Sequence, residues 1–467
     1  MRIGALLGPE LKELLREDPE QVRGLLDEIH PEDLADVVGE LDPDEAAALL
    51  ERLPAEEAAP IFERLDETEQ EEIAEMMPPE SIARIASEME PDDRADLFSA
   101  LPDDVGEKLL QTLERVDPEA ARDVREIEKW PDTSAGHLMT TKYISVKPEI
   151  TVANALAEIK AFVKKDDAPI YNVYAMTSDE RLLGLVSIRE LIAAEPEEKL
   201  QDIYRANVIS VTPELDQEEV ARRMAKYDLN VVPVVDDKGV MLGVITIDDV
   251  IDVLTQEQTE DVQKIGGVEP LDVPYFQTSF LAFIRKRAVW LVVLFLEEFF
   301  TQTALRYYDP VFEAIKGASY YVPLLISTGG NSGSQSSTLI IRGLAIGEIK
   351  ARDWGRILIR ELAMGLVLGV ILGVIGFARV LMYRDQHVEF AVTIGLTLVA
   401  IVTTGCTVGS MLPLGLKRLG IDPATSSTPF IASLVDVIGI IVFVQIAKIV
   451  MASVIAAHTG VPAQLGH

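Results

Sequence analysis

Residues 321–342 read YVPLLISTGGNSGSQSSTLIIR, a run of small and hydroxylated residues inside a segment apolar enough to lie in a membrane. Lipid cannot satisfy polar backbone groups, so backbone carrying Gly-Gly-Asn-Ser-Gly at membrane depth must face protein or water. The segment is therefore predicted to form the wall of a pore.

Apolar stretches surround this segment. The predicted spans cover residues 288–305, 318–344, 358–382, 390–416 and 428–457, which gives an all-α transmembrane domain of five helices. Lys and Arg cluster before the first span, between the second and third, and after the fourth, but not after residue 457. The positive-inside rule then predicts a multi-pass protein in the lipid bilayer of the cytoplasmic membrane, with its amino-terminal domains cytoplasmic and its carboxyl terminus outside.

Charge divides the chain into an acidic part and a mildly basic part. Residues 285–467 carry 15 Lys and Arg against 11 Asp and Glu, so residues 1–284 carry 27 against 66. An acidic surface of this kind repels nucleic acid, which is not an expected partner, and attracts cations. Ordinary solubility and adaptation to high salt explain the same acidity and stay open as alternatives.

The acidic part begins with a repeat of twelve residues. Seven units run from residue 30 to residue 113, from HPEDLADVVGEL to PDDVGEKLLQTL. Each unit opens with Pro or acidic residues that suit a helix cap and first turn, and continues with apolar residues at helical spacing. Such short helices cannot bury their apolar faces alone, so residues 1–130 are predicted to stack into a small α-solenoid.

A longer repeat occupies residues 131–254. The sequence LGLVSIRE at 183–190 matches LGVITIDD at 242–249, and each copy is predicted to fold as β-α-β-β-α. The pair resembles tandem cystathionine-β-synthase (CBS) domains, α/β modules that often bind adenine nucleotides between the two copies. The resemblance implies that Ser187 and Thr246 contact phosphate and that Glu190 and Asp249 accept from ribose hydroxyls, with Arg189 beside them. The alternative is a pair that only transmits strain.

Residues 255–284 link the two parts of the chain. The sequence TQEQTEDVQKIGG is predicted to begin as an acidic helix, continuing from the last CBS helix and ending at two glycines. Mechanical coupling to the transmembrane pore domain, residues 285–467, is its expected role.

Acidic residues at membrane depth are the candidates for chemistry. Asp436 is the only acid of the fifth span, and a carboxylate there is costly unless it faces a wet cavity or a counter-charge. Lys448 lies about 18 Å further along one helix, too far for contact, so Asp436 is predicted to line an ion pathway. Glu297 and Glu298 lie near the middle of the first span and point about 100° apart, so both cannot face one pore. One of them is expected to be protonated against lipid or to pair with Arg306 or another helix.

Prolines accompany these acids. Pro323, Pro413 and Pro429 are expected to break the membrane helices and free backbone carbonyls to face a conduit. Most membrane prolines merely kink a helix, so the coincidence with Asp436 and the Gly-Gly-Asn run carries this inference.

The whole arrangement resembles the MgtE family of magnesium transporters. The shared features are an acidic helical repeat, a CBS pair, an acidic linking helix, and five spans containing PLLISTGGNSGSQSST at 323–338 and GIDPATSSTPFIASLVDVIG at 420–439. The resemblance implies a homodimer whose pore lies between two membrane domains, with the fifth-span Asp selecting hydrated Mg²⁺ at its centre. It places the pore at Thr328, Gly329, Gly330, Asn331, Ala432 and Asp436.

The resemblance also assigns a regulatory role to the acidic half. In the family, Mg²⁺ bound between the helical domain, the CBS pair and the linking helix neutralises facing carboxylates and holds the channel shut. Besides Asp436, matching motifs place the metal-binding carboxylates at Asp92, Asp93, Asp96, Asp216, Glu218, Asp228, Asp249, Asp252, Glu260, Asp261 and Asp422.

The combined features predict a multidomain Mg²⁺-selective channel or transporter that cytosolic Mg²⁺ closes, with ATP as a second ligand if the CBS pair binds nucleotide. A membrane-anchored CBS nucleotide sensor and a transporter of other divalent cations are the alternatives. An anchor needs neither a buried Asp nor a Gly-Asn-rich span, which favours transport. Enzyme activity is not expected, because the chain has five His, one Cys and no P-loop or zinc-type spacing.

Overall fold

The computed structural model describes residues 29–164, 170–271, 273, 275–276, 278–383 and 387–459, with side chains as far as residue 456. These residues fall into two compact units that divide between Thr255 and Gln256. Residues 1–28 of the predicted helical domain and the predicted outer tail from residue 460 lie outside the described range.

Eight helices form the described part of the amino-terminal domain, from residue 29 on. Five of them carry Pro in the first turn, where its missing N–H has no helical partner to lose. Each of the first six packs against the second helix further along, which confirms the predicted α-solenoid. The helices are α1 Pro31–Val38, α2 Pro43–Arg52, α3 Ala55–Phe62, α4 Glu67–Met76, α5 Pro79–Glu88, α6 Pro91–Ala100, α7 Asp103–Val116 and α8 Pro118–Ile127.

A buried arginine fixes α6 within this solenoid. Arg94 is 2% exposed, and its Nε donates a hydrogen bond to the Ala86 carbonyl at 2.5 Å while Nη2 donates to the Met89 carbonyl at 2.7 Å. Its Nη1 lies 3.6 Å from Asp123 of α8, so the buried charge has a counter-ion. Because α6 also carries Asp92 and Asp93, this network holds two of the predicted metal-binding carboxylates in place.

Across residues 131–164 and 170–246, the CBS pair has five strands and four short helices before the linking helix. Strand β1 pairs parallel with β2, which pairs antiparallel with β3, and β4 pairs antiparallel with β5. An isolated bridge between Arg181 and Val240 joins the two copies. The elements are β1 Ser145–Val146, α9 Val152–Val163, β2 Asn172–Met176, β3 Leu182–Ser187, α10 Ile188–Ala193, α11 Leu200–Ile203, α12 Gln217–Tyr227, β4 Val231–Val235 and β5 Met241–Thr246.

The second copy departs from the predicted β-α-β-β-α order. Its first strand is reduced to one parallel bridge between Val211 and Val234. In the first copy, the Tyr174 N–H donates to the Ile144 carbonyl at 2.9 Å. The matching residue of the second copy is Pro233, which has no N–H to donate, so the ladder is shorter there.

The linking helix and the long helices of the second unit follow. Helix α13 runs unbroken from the CBS pair as Ile247–Ile265. The next helices are α14 Phe280–Tyr307, α15 Asp309–Ala314, α16 Val322–Ala345, α17 Trp354–Leu381, α18 Val388–Arg418, α19 Thr428–Val450 and α20 Ala452–Thr459.

Three stretches of the described chain are long and apolar enough to cross a membrane: Ala351–Leu381, Val388–Arg418 and Thr428–Val450. Two further long helices, α14 and α16, coincide with the first and second predicted spans, but one carries adjacent glutamates and the other a polar run. The count of five spans therefore stays a prediction.

Glycine allows α16 and α18 to approach closely. A methyl group at Gly405 would lie 2.5 Å from the Gly329 carbonyl oxygen, and one at Gly409 would collide with the Gly333 backbone. The spacing of four residues on both helices places these glycines on facing stripes, as in close membrane helix pairs.

The predicted breaks at proline are wrong. Pro323 and Pro429 lie in the first turns of α16 and α19, and α18 continues through Pro413. Residues 322–345, including the Gly-Gly-Asn run, form a continuous helix. Hydroxyls of this helix donate to carbonyls four residues earlier, as Ser332 does to Thr328 at 2.8 Å, so the polar run satisfies part of its own hydrogen bonding.

Candidate cation pathway and carboxylate cluster

Asp436 lies on α19 where this helix packs against α16. The approach is close, because a methyl group at Gly330 would lie 3.1 Å from Ala432 Cβ and 3.6 Å from Asp436 Oδ1. Asp436 is half-buried, and the charge that acts on it is that of Glu298, with no Lys or Arg of the described residues to offset it. An uncompensated carboxylate in this setting favours a cation.

A polar stripe runs along α16. Ser327, Asn331, Gln335 and Thr338 are all exposed, and their spacing of three or four residues places them on one side of the helix. Lipid cannot satisfy these groups, so this side of α16 must face water or protein. The stripe includes one predicted pore residue, Asn331.

The other predicted pore residues of α16 flank Gly330. Gly329 is buried, and a methyl group there would collide with Ile401 of α18 and lie 2.9 Å from Val435 of α19. Thr328 is half-buried and its Oγ1 donates to the Leu324 carbonyl at 2.6 Å. The structure therefore brings Gly329 and Gly330 against the part of α19 that carries Ala432 and Asp436, while Thr328 bonds within its own helix and Asn331 is exposed.

The glutamate pair of α14 points in two directions, as its spacing predicts. Glu297 is half-buried and Glu298 is exposed, and α14 packs against α19. The charges that act on Glu297 are those of Glu298 and Asp436, not that of Arg306. Glu297 therefore lies near another helix, α19, but the charge it meets there is that of an acid and not that of a pairing cation.

A cluster of carboxylates lies where the solenoid meets the CBS pair. Asp92 is 9% exposed and its Oδ1 has no hydrogen-bond partner among the described residues. Burial and the charges of Asp249, Asp93 and Glu90 hold the pKa of Asp92 well above 3.8. Burial and neighbouring acids, Glu63 foremost, raise the pKa of Asp93 to about 8.

Asp249 belongs to the same cluster from the CBS side. Burial raises its pKa to about 6, although Thr246 Oγ1 donates a hydrogen bond to it and lowers the pKa. These acids repel one another, and a divalent cation would remove both the repulsion and the burial cost. No three of the described Asp, Glu, His or Cys side chains converge on one point tightly enough to enclose an ion, so the acids here act through space.

Asp96 is held by a histidine. Its Oδ1 lies 2.9 Å from Nε2 of His137, which is 5% exposed. Burial lowers the pKa of His137, but the hydrogen bond and charge of Asp96, with further acids, outweigh it, so that pKa is raised. Asp96 therefore has a hydrogen-bond partner, whereas Asp92 Oδ1 has none among the described residues.

The predicted carboxylates of α12 serve local structure. Asp216 is the N-cap and accepts from the Glu218 N–H at 3.0 Å, and Glu218 pairs with Arg222 one turn on. Asp228 is the exposed C-cap with φ of 52°. The two caps lie at opposite ends of an 11-residue helix, about 18 Å apart along its axis, so one ion cannot bridge them within a subunit.

A lysine joins the linking helix to the loop before α19. Lys264 Nζ contacts Glu260 Oε1 one turn back and lies 2.8 Å from Asp422 Oδ2. Burial lowers the pKa of Lys264, but the hydrogen bonds to Asp422 and Glu260 outweigh it and raise the pKa to about 12. Two predicted metal-binding carboxylates thus share a protein cation. Asp261, the residue after Glu260, is half-buried. On the same helix the pKa of Asp252 is raised, mainly by burial and also by the charge of Asp248.

The residues predicted to bind nucleotide lie at the starts of two helices, α10 and α13. Ser187 and Glu190 make a capping box, and Glu190 Oε1 also accepts from Arg205 Nε at 2.8 Å, while Arg189 is exposed. The cleft between the copies has a cavity of about 20 Å³ lined by Tyr143, Tyr171, Asn172, Tyr174, Val231 and Val244. A cavity of this size holds no more than a water, so nucleotide requires the cleft to open. The structure does not place the predicted residues in its lining.

Sequence reasoning missed several members of these sites. Glu63 and Glu90 act on Asp93 from a neighbouring helix and the preceding cap, and nothing in the sequence marks them among so many acids. Lys264 carries a signal, because its spacing of four residues from Glu260 is that of a helical ion pair. His137 carries none.

The chain matches three family models. They are described as "Divalent cation transporter" over residues 322–446, "MgtE intracellular N domain" over residues 29–133, and "CBS domain" over residues 135–197 and 200–256.

Similar proteins carry related names. The chain is 39% identical over 339 residues to the magnesium transporter MgtE of Thermus thermophilus, across 73% of this chain and 75% of that protein. It is 30% identical over 333 residues to that of Bacillus subtilis, across 71% and 73%. The crystal structure of the soluble part of a magnesium transporter matches with a TM-score of 0.51 and 30% identity, across 54% of this chain and 98% of that one. The cytosolic domain of the Mg²⁺ channel MgtE in complex with ATP gives 0.49 and 35%, across 53% and 100%.

Proposed function

The chain belongs to the MgtE family of magnesium transporters, and we propose that it is a Mg²⁺-selective channel of the cytoplasmic membrane that cytosolic Mg²⁺ closes. The observation that carries this proposal is the close approach of α16 at Gly330 to Ala432 and Asp436 of α19, where no Lys or Arg of the described residues offsets the charge of Asp436. Mg²⁺ is the transported ion and also the regulator at the acidic soluble half.

The pore, in this proposal, lies between two copies of the chain. One carboxylate per subunit then faces the axis, and the exposed polar stripe of α16 supplies amide and hydroxyl oxygens. Mg²⁺ gives up its water reluctantly, so such a site recognises the hydrated ion. The cationic clusters support an orientation with the amino-terminal domains in the cytoplasm and the carboxyl terminus outside. The domain bounds 1–130, 131–254, 255–284 and 285–467 belong to the same proposal.

Closure follows from the cluster around Asp92. The raised pKa values of Asp92, Asp93 and Asp249 express unfavourable interactions among buried acids. Mg²⁺ bound there would stabilise the docked solenoid and CBS pair, because a ligand that binds one arrangement better shifts the population toward it. Asp216 and Glu218 lie at one end of α12 and Asp228 at the other, and in this proposal any ion they hold binds apart from this cluster.

A pH dependence follows for protein stripped of divalent cations. A carboxyl whose pKa is higher in the docked arrangement binds more protons when docked, so docking is favoured as pH falls through about 8 toward 6 and is weakened as pH rises. We expect the full-length protein in chelator to melt at least about 3 °C higher at pH 6 than at pH 8. Asp93→Asn, which is neutral at both values, should reduce the difference, and equal melting of the wild type at pH 6 and pH 8 would contradict the cluster's role.

ATP is proposed as a second ligand of the CBS pair once its cleft opens. Thr246 and Asp249 are the supporting residues, because no Lys or Arg of the described residues offsets the charge of Asp249, whereas Glu190 accepts a hydrogen bond from Arg205. We expect Asp249→Ala to weaken ATP binding by about 1–3 kcal/mol through loss of a ribose acceptor. Calorimetry on the full chain at fixed Mg²⁺ measures this, with Glu190→Ala as the matched variant of smaller effect. Absence of ATP binding to the wild type would leave only the strain-transmitting role.

Two alternatives are separated by one experiment. A membrane-anchored nucleotide sensor passes no ions, and a general divalent transporter passes Ca²⁺ or Ni²⁺ as readily as Mg²⁺. Purified protein in liposomes, with Mg²⁺ varied independently on each side and Ca²⁺ or Ni²⁺ offered in place of external Mg²⁺, tests both together with the closure by internal Mg²⁺. The family is one of transporters, and we propose no enzymatic activity for this chain.

A further inference from the structure

Glu297 occupies a costly position on α14. Its Oε2 is buried and has no hydrogen-bond partner among the described residues, and the charges that act on it are both negative, Glu298 and Asp436. An acid in a membrane helix normally pairs or faces water. Because α14 packs against α19, the unsatisfied carboxylate is directed toward the helix that carries Asp436.

Thr301 repeats the pattern one turn further along. It is 6% exposed, and its Oγ1 has no hydrogen-bond partner within the described part of the chain. Thr303 of the same helix instead donates to the Phe299 carbonyl at 2.6 Å, as membrane threonines commonly do. Glu297 and Thr301 are four residues apart and therefore share one side of α14, about 6 Å apart along the axis. Two unsatisfied oxygens line the same interface.

We propose that Glu297, with Thr301, is a second cation-binding position of the conduction pathway, beside Asp436, and helps to set which divalent ions pass. This inference rests on the proposed function. The two carboxylates stand on different helices and do not enclose a bare ion with a third acid. A hydrated divalent cation fits such a gap, because its water molecules donate to the carboxylate and hydroxyl oxygens that the protein leaves without partners.

Liposome flux of the full chain tests this position. Glu297→Gln keeps the shape and removes the charge, so we expect Mg²⁺ flux to fall about tenfold and the preference for Mg²⁺ over Ca²⁺ to decline. Thr301→Val, which removes only a neutral oxygen, should lower flux about twofold. Glu313→Gln removes the same charge from an exposed position on α15 and should conduct like the wild type.

A different result would contradict the role of Glu297 and Thr301 in conduction. Wild-type flux and selectivity in Glu297→Gln, together with higher melting temperatures for it and for Thr301→Val, would show that these oxygens are a structural burden only. If Glu297→Gln fails to fold, two variants with a shorter side chain, Glu297→Asp and Glu297→Asn, are compared instead. Flux that is retained by Glu297→Asp and lost by Glu297→Asn supports the proposal, and equal flux in these two variants overturns it. A wild type that conducts no Mg²⁺ would overturn the proposed function instead.

Discussion

Asp436→Asn is expected to lower Mg²⁺ flux at least about a hundredfold. The change keeps the side-chain volume beside Gly330 but removes the only carboxylate of α19, so a divalent ion loses its main electrostatic partner in a low-dielectric setting. Uptake into liposomes containing a Mg²⁺ indicator, with internal Mg²⁺ kept low so that closure does not intervene, measures the effect.

Two controls make this prediction specific. Asp309→Asn makes the same chemical change at an exposed position at the start of α15 and should leave flux unchanged. Size-exclusion profiles and melting of Asp436→Asn should match the wild type or exceed it, because removing an uncompensated half-buried charge does not destabilise the fold. Near-normal Mg²⁺ flux in a folded Asp436→Asn protein would remove Asp436 from the pathway.

A steric counterpart is expected at Gly330, where a side chain would press α16 away from Ala432. The sequence marks this residue only as part of a polar run, and its role becomes visible once two helices are placed side by side. Local patterns report the period of a helix and the charge it carries. They do not report which residue of another helix lies 3 Å away.

The same limit explains which predictions succeeded. The twelve-residue repeat predicts the solenoid because each unit carries its own cap and apolar side, and these are local properties. The acid of α19 stands out because nothing else in that helix is charged at membrane depth. By contrast, Glu63 and Asp249 are acids whose charges act on Asp93, although both are far from it in the sequence. No rule of sequence spacing identifies them.

Prolines show a second limit. Pro323 and Pro429 were expected to break helices, yet the structure uses them to begin helices, where the missing N–H has no partner to lose. Pro233 removes a strand for the same chemical reason, through the donor that it lacks. In each case proline lacks the backbone N–H. Its effect depends on whether it stands at the start of a helix, where that N–H has no partner, or at a position where a strand would need it.

Glu260→Gln with Asp261→Asn is expected to weaken closure of the channel by internal Mg²⁺. In the structure Lys264 already bridges Glu260 and Asp422, so a protein cation holds the linking helix to the loop before α19 even without a divalent ion. Mg²⁺ bound to the linking helix would strengthen its attachment to the loop before α19. Neutralising Glu260 and Asp261 removes the negative charge that would bind this Mg²⁺. We expect the internal Mg²⁺ concentration for half-inhibition to rise roughly tenfold, equivalent to about 1.4 kcal/mol.

A substitution of Lys264 tests the same contact more directly. If Lys264 stands in for a divalent ion, Lys264→Met should leave Glu260 and Asp422 repelling each other at low Mg²⁺ and should make closure depend more steeply on Mg²⁺, because only the metal then bridges them. Glu269→Gln removes an exposed acid beyond the end of α13 and serves as the matched control. Inhibition curves that coincide for wild type, Lys264→Met and the double variant would separate this contact from gating, and the acidity of the linking helix would then reflect solubility or adaptation to salt.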